Sequence, residues 1–600
     1  MNNKYILLAG SLLFASVAMQ SCLDFDDPGD EANMNVIQTE TTVHVGNVDS
    51  IPYKYYHPVD TIVEAAIDTL QGKYRYFGQC LSGIFMMRGG KEGQMPAAHA
   101  YQRQYSLGPD LYAQYFTVPH KDFMYGTLTS TYNVSAEFNG GPLGAYTMAK
   151  NAFMPMLNHP LIDLLPEIKA INLLYYCIAA QEQADLAGPY TYLEDKKNSQ
   201  EPEEYNDVRT IYYGIVENID TIVACLNHFE TREEWYKEKI QNIVAENFAT
   251  NYGLLAGDMG LTSYVKLANS LKLRMAMHIV KVEPETAKKW AEEAVAAGVI
   301  EDTYEQHGVI PMINSFTLPL ADIANAWGDL RLCASFESLL MSLDHPYSKY
   351  LFTKNLNDIP NAKTGEVLPA DSRLCGIRAG VLVGDGQTYA LNKRQAYSTI
   401  STEVVASKRC PLYFMKWAEV DFLRAEGALR NWEMGGSAQF FYERGIQNAY
   451  LEDPMSGAEY FNYLNDYMQR EEPVAYTSED PIGDGEPWPS VTKIGVKWND
   501  GEDNETKLEK IITQKYLALF PLSTEAWTEM RRTGYPKLFP VLNTDDGDGS
   551  IEQGDMIRRI PWVPTDPVAA SMVEFSGIPA LGGPDEQATR LWWDVEKDNF

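Results

Sequence analysis

Four aromatic residues in polar, loop-like stretches are the best candidates for gripping a ligand. The sequence around them is rich in Gly, Pro, Asn and Asp, and the four are Trp327, Tyr389, Trp488 and Trp498. A flat aromatic ring can stack on the C–H face of a sugar while neighbouring amides and carboxylates bond its hydroxyls. We therefore predict ligand contacts here; as packing residues, the same rings would instead pin the loops to the rest of the molecule.

Two carboxylates have a spacing that invites comparison with a catalytic acid pair. Glu419 and Glu426 stand seven residues apart in a stretch with helical periodicity, and a glycosidase uses two carboxyl groups that flank the scissile bond. On a helix their Cα atoms would lie roughly 10.5 Å apart, which is too far for a retaining mechanism. Ion pairs with Arg424, Arg430 or Lys416 are the favoured alternative, so no catalytic residue is predicted.

Two adjacent arginines further along are also predicted to be structural. Arg531 and Arg532 would fall at the C-terminal end of a helix, where cations complement the helix dipole and bond the last carbonyls. In the same block Ser523 or Thr524 would cap the start of the helix, and Trp527 would pack inward. Helix stabilisation is therefore favoured over ligand binding for this block.

One acidic loop resembles a calcium-binding loop. Residues 544–555 place acidic oxygens at alternate positions, with glycine at the sixth position and isoleucine at the eighth. The predicted ligands of a structural Ca²⁺ are Asp546, Asp548 and Asp555, whereas Thr544 replaces the usual first aspartate. A solvated acidic turn is the alternative, and no other cofactor is predicted.

Other metal and nucleophile patterns are missing from the sequence. It contains no HExxH pair, no GxSxG elbow and no CxxC, so neither zinc hydrolysis nor serine catalysis has support. Beyond the N-terminal region we predict single buried thiols in place of a disulfide framework, at Cys80, Cys177, Cys225, Cys333, Cys375 and Cys410.

The N-terminus predicts export and lipidation. Residues 1–21 have the layout of a secretory signal peptide, with one lysine before a short apolar run. Ser21 directly before Cys22 resembles the lipobox of bacterial lipoproteins, and the acidic LDFDD tract behind it resembles the surface-export signal of Bacteroidetes lipoproteins. We predict lipid on Cys22, an acidic tether over residues 22–58 and a surface-exposed place on the outer membrane. An ordinary signal peptide with a nearby cysteine is the alternative.

The charge balance excludes one large class of function. The 600 residues carry 49 Lys+Arg against 82 Asp+Glu, which gives a net charge of −33 at pH 7. Nucleic-acid binding needs a concentrated basic surface, so that class is excluded. After the signal peptide no run of ~18 apolar residues occurs, so no membrane-spanning helix is predicted.

Most of the chain shows the periodicity of amphipathic helices. Apolar residues recur at steps of three and four in residues 168–187, 211–226, 263–280, 411–430 and 526–532. Short polar loops join neighbouring blocks, which is typical of helix-turn-helix solenoids. We predict a mostly α fold with a single domain over residues 59–600 and large irregular loops at about 301–410 and 470–505.

Several of these blocks resemble the SusD/RagB family of outer-membrane lipoproteins, and the resemblance covers most of the chain. It rests on residues 269–276 (NSLKLRMA), the helix over 418–426, the segment IITQKYLALFPLSTEAWTEMRRTGYP, residues 558–562 (RRIPW) and the closing GGPDEQATRLWWDV. The Trp592-Trp593-Asp594 ending is similar to a divergent branch of the family.

The resemblance implies a tetratricopeptide-like platform of helix pairs overlaid by irregular loops. It also implies a lipid-anchored, non-enzymatic protein of nutrient uptake, which captures oligosaccharides and passes them to a SusC-like TonB-dependent transporter. Peptide cargo is the alternative within the family. An α-helical glycoside hydrolase is the less favoured alternative.

Overall fold

The computed structural model describes most of the chain beyond its N-terminal region. The described residues are 37–43, 51–57, 60–70, 79–80, 83–84, 86–88, 98–120, 136–192, 204–244, 261–301, 309–310, 319–381, 395–401, 412–452, 458–483, 485–544 and 548–600. Three predicted site residues, Cys22, Tyr389 and Asp546, lie outside these ranges.

Helices dominate the described chain, as predicted. The α-helices are α1 Asp60–Leu70, α2 Ala98–Tyr101, α3 Pro109–Tyr112, α4 Ala136–Leu157, α5 Pro166–Ala187, α6 Val208–His228, α7 Glu234–Val244, α8 Thr262–His278, α9 Pro284–Ala297, α10 Ala334–Leu343, α11 Tyr347–Tyr350, α12 Trp417–Leu429, α13 Ala438–Glu452, α14 Ala458–Met468, α15 Asn504–Leu519, α16 Ser523–Thr533, α17 Pro567–Met572 and α18 Ile578–Leu581. Three π-helical turns cover Gln102–Ser106, Asp322–Trp327 and Val573–Gly577, and 3-10 turns cover Pro160–Leu164 and Phe229–Thr231.

Strands form five antiparallel pairs among the described residues. The first pair is a hairpin of β1 Ile37–Val43 and β2 Ile51–His57. The others are two residues long on each side: β3 Phe116–Thr117 with β5 Arg331–Leu332, β4 Val309–Ile310 with β8 Leu412–Tyr413, β6 Ile359–Pro360 with β7 Val367–Leu368, and β9 Thr477–Ser478 with β10 Trp488–Pro489. The mostly α prediction is therefore confirmed.

The helices begin and end where the sequence provides caps. Asp207 accepts a hydrogen bond from the backbone N–H of Thr210 at 2.8 Å and starts α6. Gly188, with φ of +91°, ends α5 at a position where a side chain would be strained. Along α6 the apolar stripe is buried, and its members are Ile211, Ile215, Ile219, Ile222 and Leu226.

Consecutive helices lie against each other along the chain. The pairs are α4 with α5, α5 with α6, α8 with α9, α12 with α13, and α15 with α16. One continuous apolar core joins them, which confirms a platform of helix pairs. The finer tetratricopeptide-like arrangement stays a prediction.

Two stretches differ from the sequence-based expectation. The interval 22–58, predicted as an extended tether, contains the β1–β2 hairpin, and β2 lies beside α6. The predicted loop at 301–410 contains α10, whose Phe336 belongs to the main core. Because the surrounding sequence is rich in glycine and proline, this ten-residue helix with an apolar face was predicted as part of a loop.

The irregular segments above the helices have a small core of their own. It consists of Cys375, Ile377, Val381, Ala396, Tyr397 and Ile482. We call residues 353–381, 395–401, 474–483 and 485–490 the loop layer, and the packed helices beneath it the helical body. Within the loop layer the backbone N–H of Ala362 donates to the carbonyl of Ile482 at 2.7 Å, which ties the two predicted loops together.

The sequence predicts neither a disulfide framework nor a membrane-spanning helix, and the described residues bear on both predictions. The five cysteines among them are buried and form no disulfide with one another, namely Cys80, Cys177, Cys225, Cys333 and Cys375, and Cys410 lies outside these ranges. No described helix combines the length and the apolar character that crossing a bilayer requires.

Candidate functional site

Two aromatic rings meet at the surface where two π-helical turns come together. His99 is exposed on α2, which runs into the turn Gln102–Ser106, and half-buried Trp327 ends the turn Asp322–Trp327. The ring centroids are 4.6 Å apart and the planes are inclined by 31°. Because π-helical turns are rare and recur at functional sites, we take His99 and Trp327, the ring pair, as the candidate site.

The position of Trp327 is fixed by the residues around it. Gly328 adopts a left-handed conformation with φ of +76° and ends the π-helical turn. Arg331 then reaches back, and its Nη1 donates to the carbonyl of Ala324 at 2.8 Å. On the other side Asn325 Nδ2 donates to the carbonyl of Ile400 at 3.1 Å. The turn is therefore braced by two separate segments.

A carboxylate links the two π-helical turns beside the rings. Asp329, two residues after Trp327 in the chain, is half-buried. It accepts a hydrogen bond from Gln102 Nε2 at 2.7 Å, and its other oxygen lies 3.0 Å from His120 Nε2. An indole ring close to an imidazole and a carboxylate is an arrangement that can bind a polar ligand with an apolar face, such as a pyranose.

Trp488 occupies a second, separate place in the loop layer. It is half-buried on β10, and the Arg378 guanidinium lies 4.1 Å from its ring centroid and 4.7 Å from that of Phe539. Arg378 Nη2 also donates to the carbonyl of Pro540 at 2.8 Å. One face of Trp488 therefore lies against a cation, whereas Trp327 lies against the His99 imidazole.

Trp498 does not have the exposure expected of a loop residue. Only 8% of it is exposed, its ring centroid lies 5.2 Å from that of Tyr442 on α13, and its Nε1 donates to Asp500 at 2.8 Å. This ring pins its loop to the helical body. The three candidate tryptophans thus occupy three different environments, and sugar contact at any of them stays a prediction.

The described carboxylates of the predicted calcium loop already accept hydrogen bonds from the protein. Asp548 accepts from the backbone N–H groups of Ser550 at 3.0 Å and of Gln587 at 2.7 Å. Asp555 forms an ion pair with Arg558 at 2.8 Å. These bonds tie the loop to the C-terminal segment, and calcium binding stays a prediction.

Glu419 and Glu426 are buried on α12, and each is held by an arginine. Glu419 makes two hydrogen bonds to Arg274, at 2.6 and 2.8 Å, and Glu426 makes two to Arg532, at 2.8 and 2.6 Å, with a further bond to Arg430. Burial opposes ionisation of Glu426, but the charges of Arg532 and Arg430 outweigh it and lower its pKa to about 2. The pairing of Glu426 with Arg430 was predicted, whereas the Arg274 and Arg532 partners were not.

Arg531 and Arg532 lie in the last turn of α16, as predicted, and both are buried. Arg531 donates to the carbonyls of two distant segments, at Asp185 and Arg558, and lies 3.7 Å from the ring centroid of buried Trp527. The predicted cap is wrong: α16 begins after Leu522 without a side-chain cap, because Ser523 and Thr524 lie inside the helix.

A chain of buried ion pairs connects the helices of the body, and we call it the ion network. Its members are Arg274, His278, Glu419, Glu426, Lys515, Glu525, Glu529 and Arg532. His278, Glu525 and Glu529 bring ligand atoms within 4.8 Å of one another. Lys515, however, lies 3.2 and 3.3 Å from the two glutamates, so a protein cation already occupies the place of a metal.

Sequence reasoning missed His99 and the ion network for the same reason. His99 meets Trp327, and Arg274 meets Glu419, across long intervals of chain. A lone histidine or a helix-face arginine carries no local pattern that reveals such a partner. The family-like blocks NSLKLRMA and STEAWTEMRR did contain Arg274, Glu525, Glu529 and Arg532, so the resemblance marked the network without explaining it.

Comparison with known proteins identifies the family and the fold. The family model for SusD and RagB outer membrane lipoproteins matches residues 75–594. Among curated proteins, none is significantly similar to this chain.

Solved structures show the same fold. A chitin-binding SusD homolog from Flavobacterium johnsoniae is 29% identical, with a TM-score of 0.71, and the match covers 88% of this chain and 100% of that one. A SusD homolog from Bacteroides thetaiotaomicron is 26% identical, with a TM-score of 0.69 and coverage of 87% and 99%. One from Bacteroides vulgatus is 25% identical, with a TM-score of 0.70 and coverage of 88% and 98%.

Proposed function

Because the chain belongs to the family of SusD and RagB outer membrane lipoproteins, we propose that it captures oligosaccharides at the cell surface and delivers them to a SusC-like TonB-dependent transporter. The observation that carries the capture step is the ring pair, in which exposed His99 on α2 meets half-buried Trp327 at the end of a π-helical turn. The chitin-binding homolog supports a glycan as the cargo.

Capture at the ring pair requires contact and no bond cleavage. Trp327 offers stacking area, and its position is set by the protein before the ligand arrives, so little conformational freedom is lost on binding. Hydroxyl and acetamido groups of a sugar would bond to the exposed His99 imidazole and to the Asp329 carboxylate. The buried, arginine-paired Glu419 and Glu426 supply no acid pair that faces a ligand.

The binding test uses the soluble Cys22→Ala protein and neutral oligosaccharides, starting with chitooligosaccharides, in isothermal titration calorimetry. We expect Trp327→Ala to weaken binding at least about tenfold, a change of about 1.4 kcal/mol, and His99→Ala to weaken it less. Trp488→Ala, which removes a half-buried tryptophan of the loop layer, is measured beside it to show whether any loss of affinity is specific to the ring pair. Equal affinities for Trp327→Ala and the parent protein would rule out the ring pair as the binding surface.

The same Cys22→Ala protein distinguishes oligosaccharide capture from glycoside hydrolysis and from peptide binding. New reducing ends after incubation with these sugars would reveal a glycoside hydrolase, and titration with a peptide mixture would reveal peptide cargo. We expect neither signal. Sugar binding without new reducing ends supports capture.

The anchor is tested in cells. Acyl chains contribute roughly 0.8 kcal/mol per buried CH₂, so we expect Cys22→Ala to move the protein from the membrane to the soluble fraction. Membrane retention of that variant would show that Cys22 is not the anchor.

Delivery is tested by gentle detergent extraction, in which the wild-type protein should co-purify with an outer-membrane barrel.

A further inference from the structure

The C-terminal helical segment, Pro567–Leu581, exposes apolar side chains that the helical body leaves uncovered. It runs from α17 through the π-helical turn Val573–Gly577 into α18. Phe575 is 76% exposed, Val568 is 70% exposed, and Val563 just before the segment is 40% exposed. Val568 lies on α17, and Phe575 lies in the π-helical turn that continues it. We call Val563, Val568 and Phe575 the Phe575 surface.

The opposite side of this segment is fixed to the helical body. Gly577 lies so close to Tyr205 that an added Cβ would come within 2.4 Å of its ring, and Ser576 Oγ accepts a hydrogen bond from the Tyr205 N–H at 3.1 Å. The Tyr205 ring in turn stacks on Trp562, with the ring centroids 5.5 Å apart. The exposed apolar side chains therefore sit on an anchored support, which lowers the entropic cost of docking.

The charge around the Phe575 surface indicates which occupant it fits. Residues 561–589 contain no lysine or arginine and carry the carboxylates of Asp566, Glu574 and Glu586. The fourth carboxylate, Asp585, is paired with Arg559 and adds no net charge. Anionic lipid headgroups and a second copy of the same acidic surface would both be repelled. A protein with an apolar recess and a basic rim would instead be attracted, which also raises the association rate.

We propose that the Phe575 surface is the docking site for a protein partner with an apolar recess rimmed by lysine or arginine. This inference rests on the proposed function, under which the partner is the outer-membrane transporter. Phe575 is the anchor residue that fills the recess, since aromatic side chains dominate the energetics of such contacts. Glu574, exposed beside it, contributes to the charged rim.

The docking test measures co-purification of the full-length lipoprotein with the transporter after gentle detergent extraction. We expect Phe575→Asp and Val568→Asp to reduce the recovered transporter at least about tenfold without changing the Tm of the purified lipoprotein. Val367→Asp is the matched control, because Val367 is 56% exposed but lies on β7 in the loop layer. Loss with the first two variants and retention with the control supports the inference.

The outcomes distinguish this inference from the proposed function. If the wild-type protein and Phe575→Asp recover the transporter equally, the docking site is overturned while delivery stands. If the wild-type protein recovers none, delivery and the docking site are both overturned.

In a salt series, Glu574→Lys should reduce the amount of recovered transporter more at about 50 mM NaCl than at about 300 mM, as expected for a charged rim. The same loss at both concentrations would overturn the basic rim of the partner.

Other occupants are tested with the soluble Cys22→Ala protein. A dimer in light scattering that Phe575→Asp dissociates would overturn the inference in favour of a second copy. Binding to vesicles of phosphatidylcholine and phosphatidylglycerol that Phe575→Asp abolishes would overturn it in favour of a membrane surface. A monomer without vesicle binding supports a separate protein partner.

Discussion

The helical body and its junction with the loop layer both bury carboxylates, but they satisfy them differently. In the body, Glu426 meets Arg532 and Arg430, and its pKa falls to about 2. At the junction, Glu337 of α10 accepts from the backbone N–H of Gly376 at 2.8 Å, from Ser478 Oγ at 3.0 Å and from the Tyr476 hydroxyl. Burial raises the pKa of Glu337, and these neutral donors, together with Arg373 at 4.0 Å, only partly oppose the increase.

The two kinds of partner predict different costs when one of them is removed. Breaking a buried charge pair leaves a bare charge in the core, which is strongly unfavourable. Removing an acceptor whose hydrogen-bond donors are uncharged should lower the free energy of unfolding by less. The effect should be confined to the segments that those hydrogen bonds join. We therefore expect damage in the body to be global and damage in the loop layer to be local.

The largest expected effect comes from removing a cation of the ion network. Arg532→Met leaves Glu426 and Glu529 buried without their shared partner, so the free energy of unfolding should fall by about 3–5 kcal/mol. Urea denaturation measures this change. Arg209→Met is the control, because Arg209 is half exposed where it pairs with Glu283, and such a surface pair should contribute less than about 1 kcal/mol. Similar losses for both variants would contradict the special role of the network.

A second prediction concerns a body carboxylate whose pKa is set by burial and neutral neighbours. Burial raises the pKa of Asp110 on α3 to about 7, opposed by the hydroxyls of Ser523 and Ser106. Since the folded pKa exceeds the unfolded value near 3.8, this group's contribution to stability is present below the unfolded value and is lost as the pH rises through the folded pKa.

Asp110→Asn removes this titration. Between about pH 5 and pH 8 the wild-type protein should lose about 1–3 kcal/mol relative to the variant, measured by urea denaturation at each pH. A constant difference between the two proteins across that range would show that Asp110 does not titrate there.

The loop layer should respond more mildly and only locally. Glu337→Gln replaces one acceptor oxygen by an amide, and we expect a loss of about 1–2 kcal/mol. Hydrogen exchange should accelerate at residues 374–378 and 474–480 and remain unchanged in α8 and α12. Glu366→Gln, on an exposed turn, should alter neither region, and faster exchange throughout the helices would contradict a local role.

The smallest expected effect is that of calcium on the loop at 544–555. Because Asp548 and Asp555 already have protein partners, about 1 mM CaCl₂ should shift the Tm by less than about 2 °C. A larger increase that Asp548→Asn abolishes would establish the predicted calcium site instead.

The helices were more predictable from the sequence than the loops and the site. Helices α5, α6, α8, α12 and α16 follow from apolar stripes and end signals that act within a few residues. In the candidate site, only Trp327 was named in advance. Its partner His99 and its brace Arg331 depend on tertiary contacts that no local spacing encodes, and the exposure of Trp498 was misjudged because a polar loop can still bury its one aromatic anchor.

The hairpin of β1 and β2 limits how far the helical body could lie from a membrane in which Cys22 is anchored. With lipid on Cys22, only the fifteen residues from Cys22 to Val36 precede the hairpin that lies beside α6. Such a stretch reaches at most about 50 Å, roughly the thickness of one further protein domain. With that anchor, the hairpin and α6 would stay within this distance of the membrane.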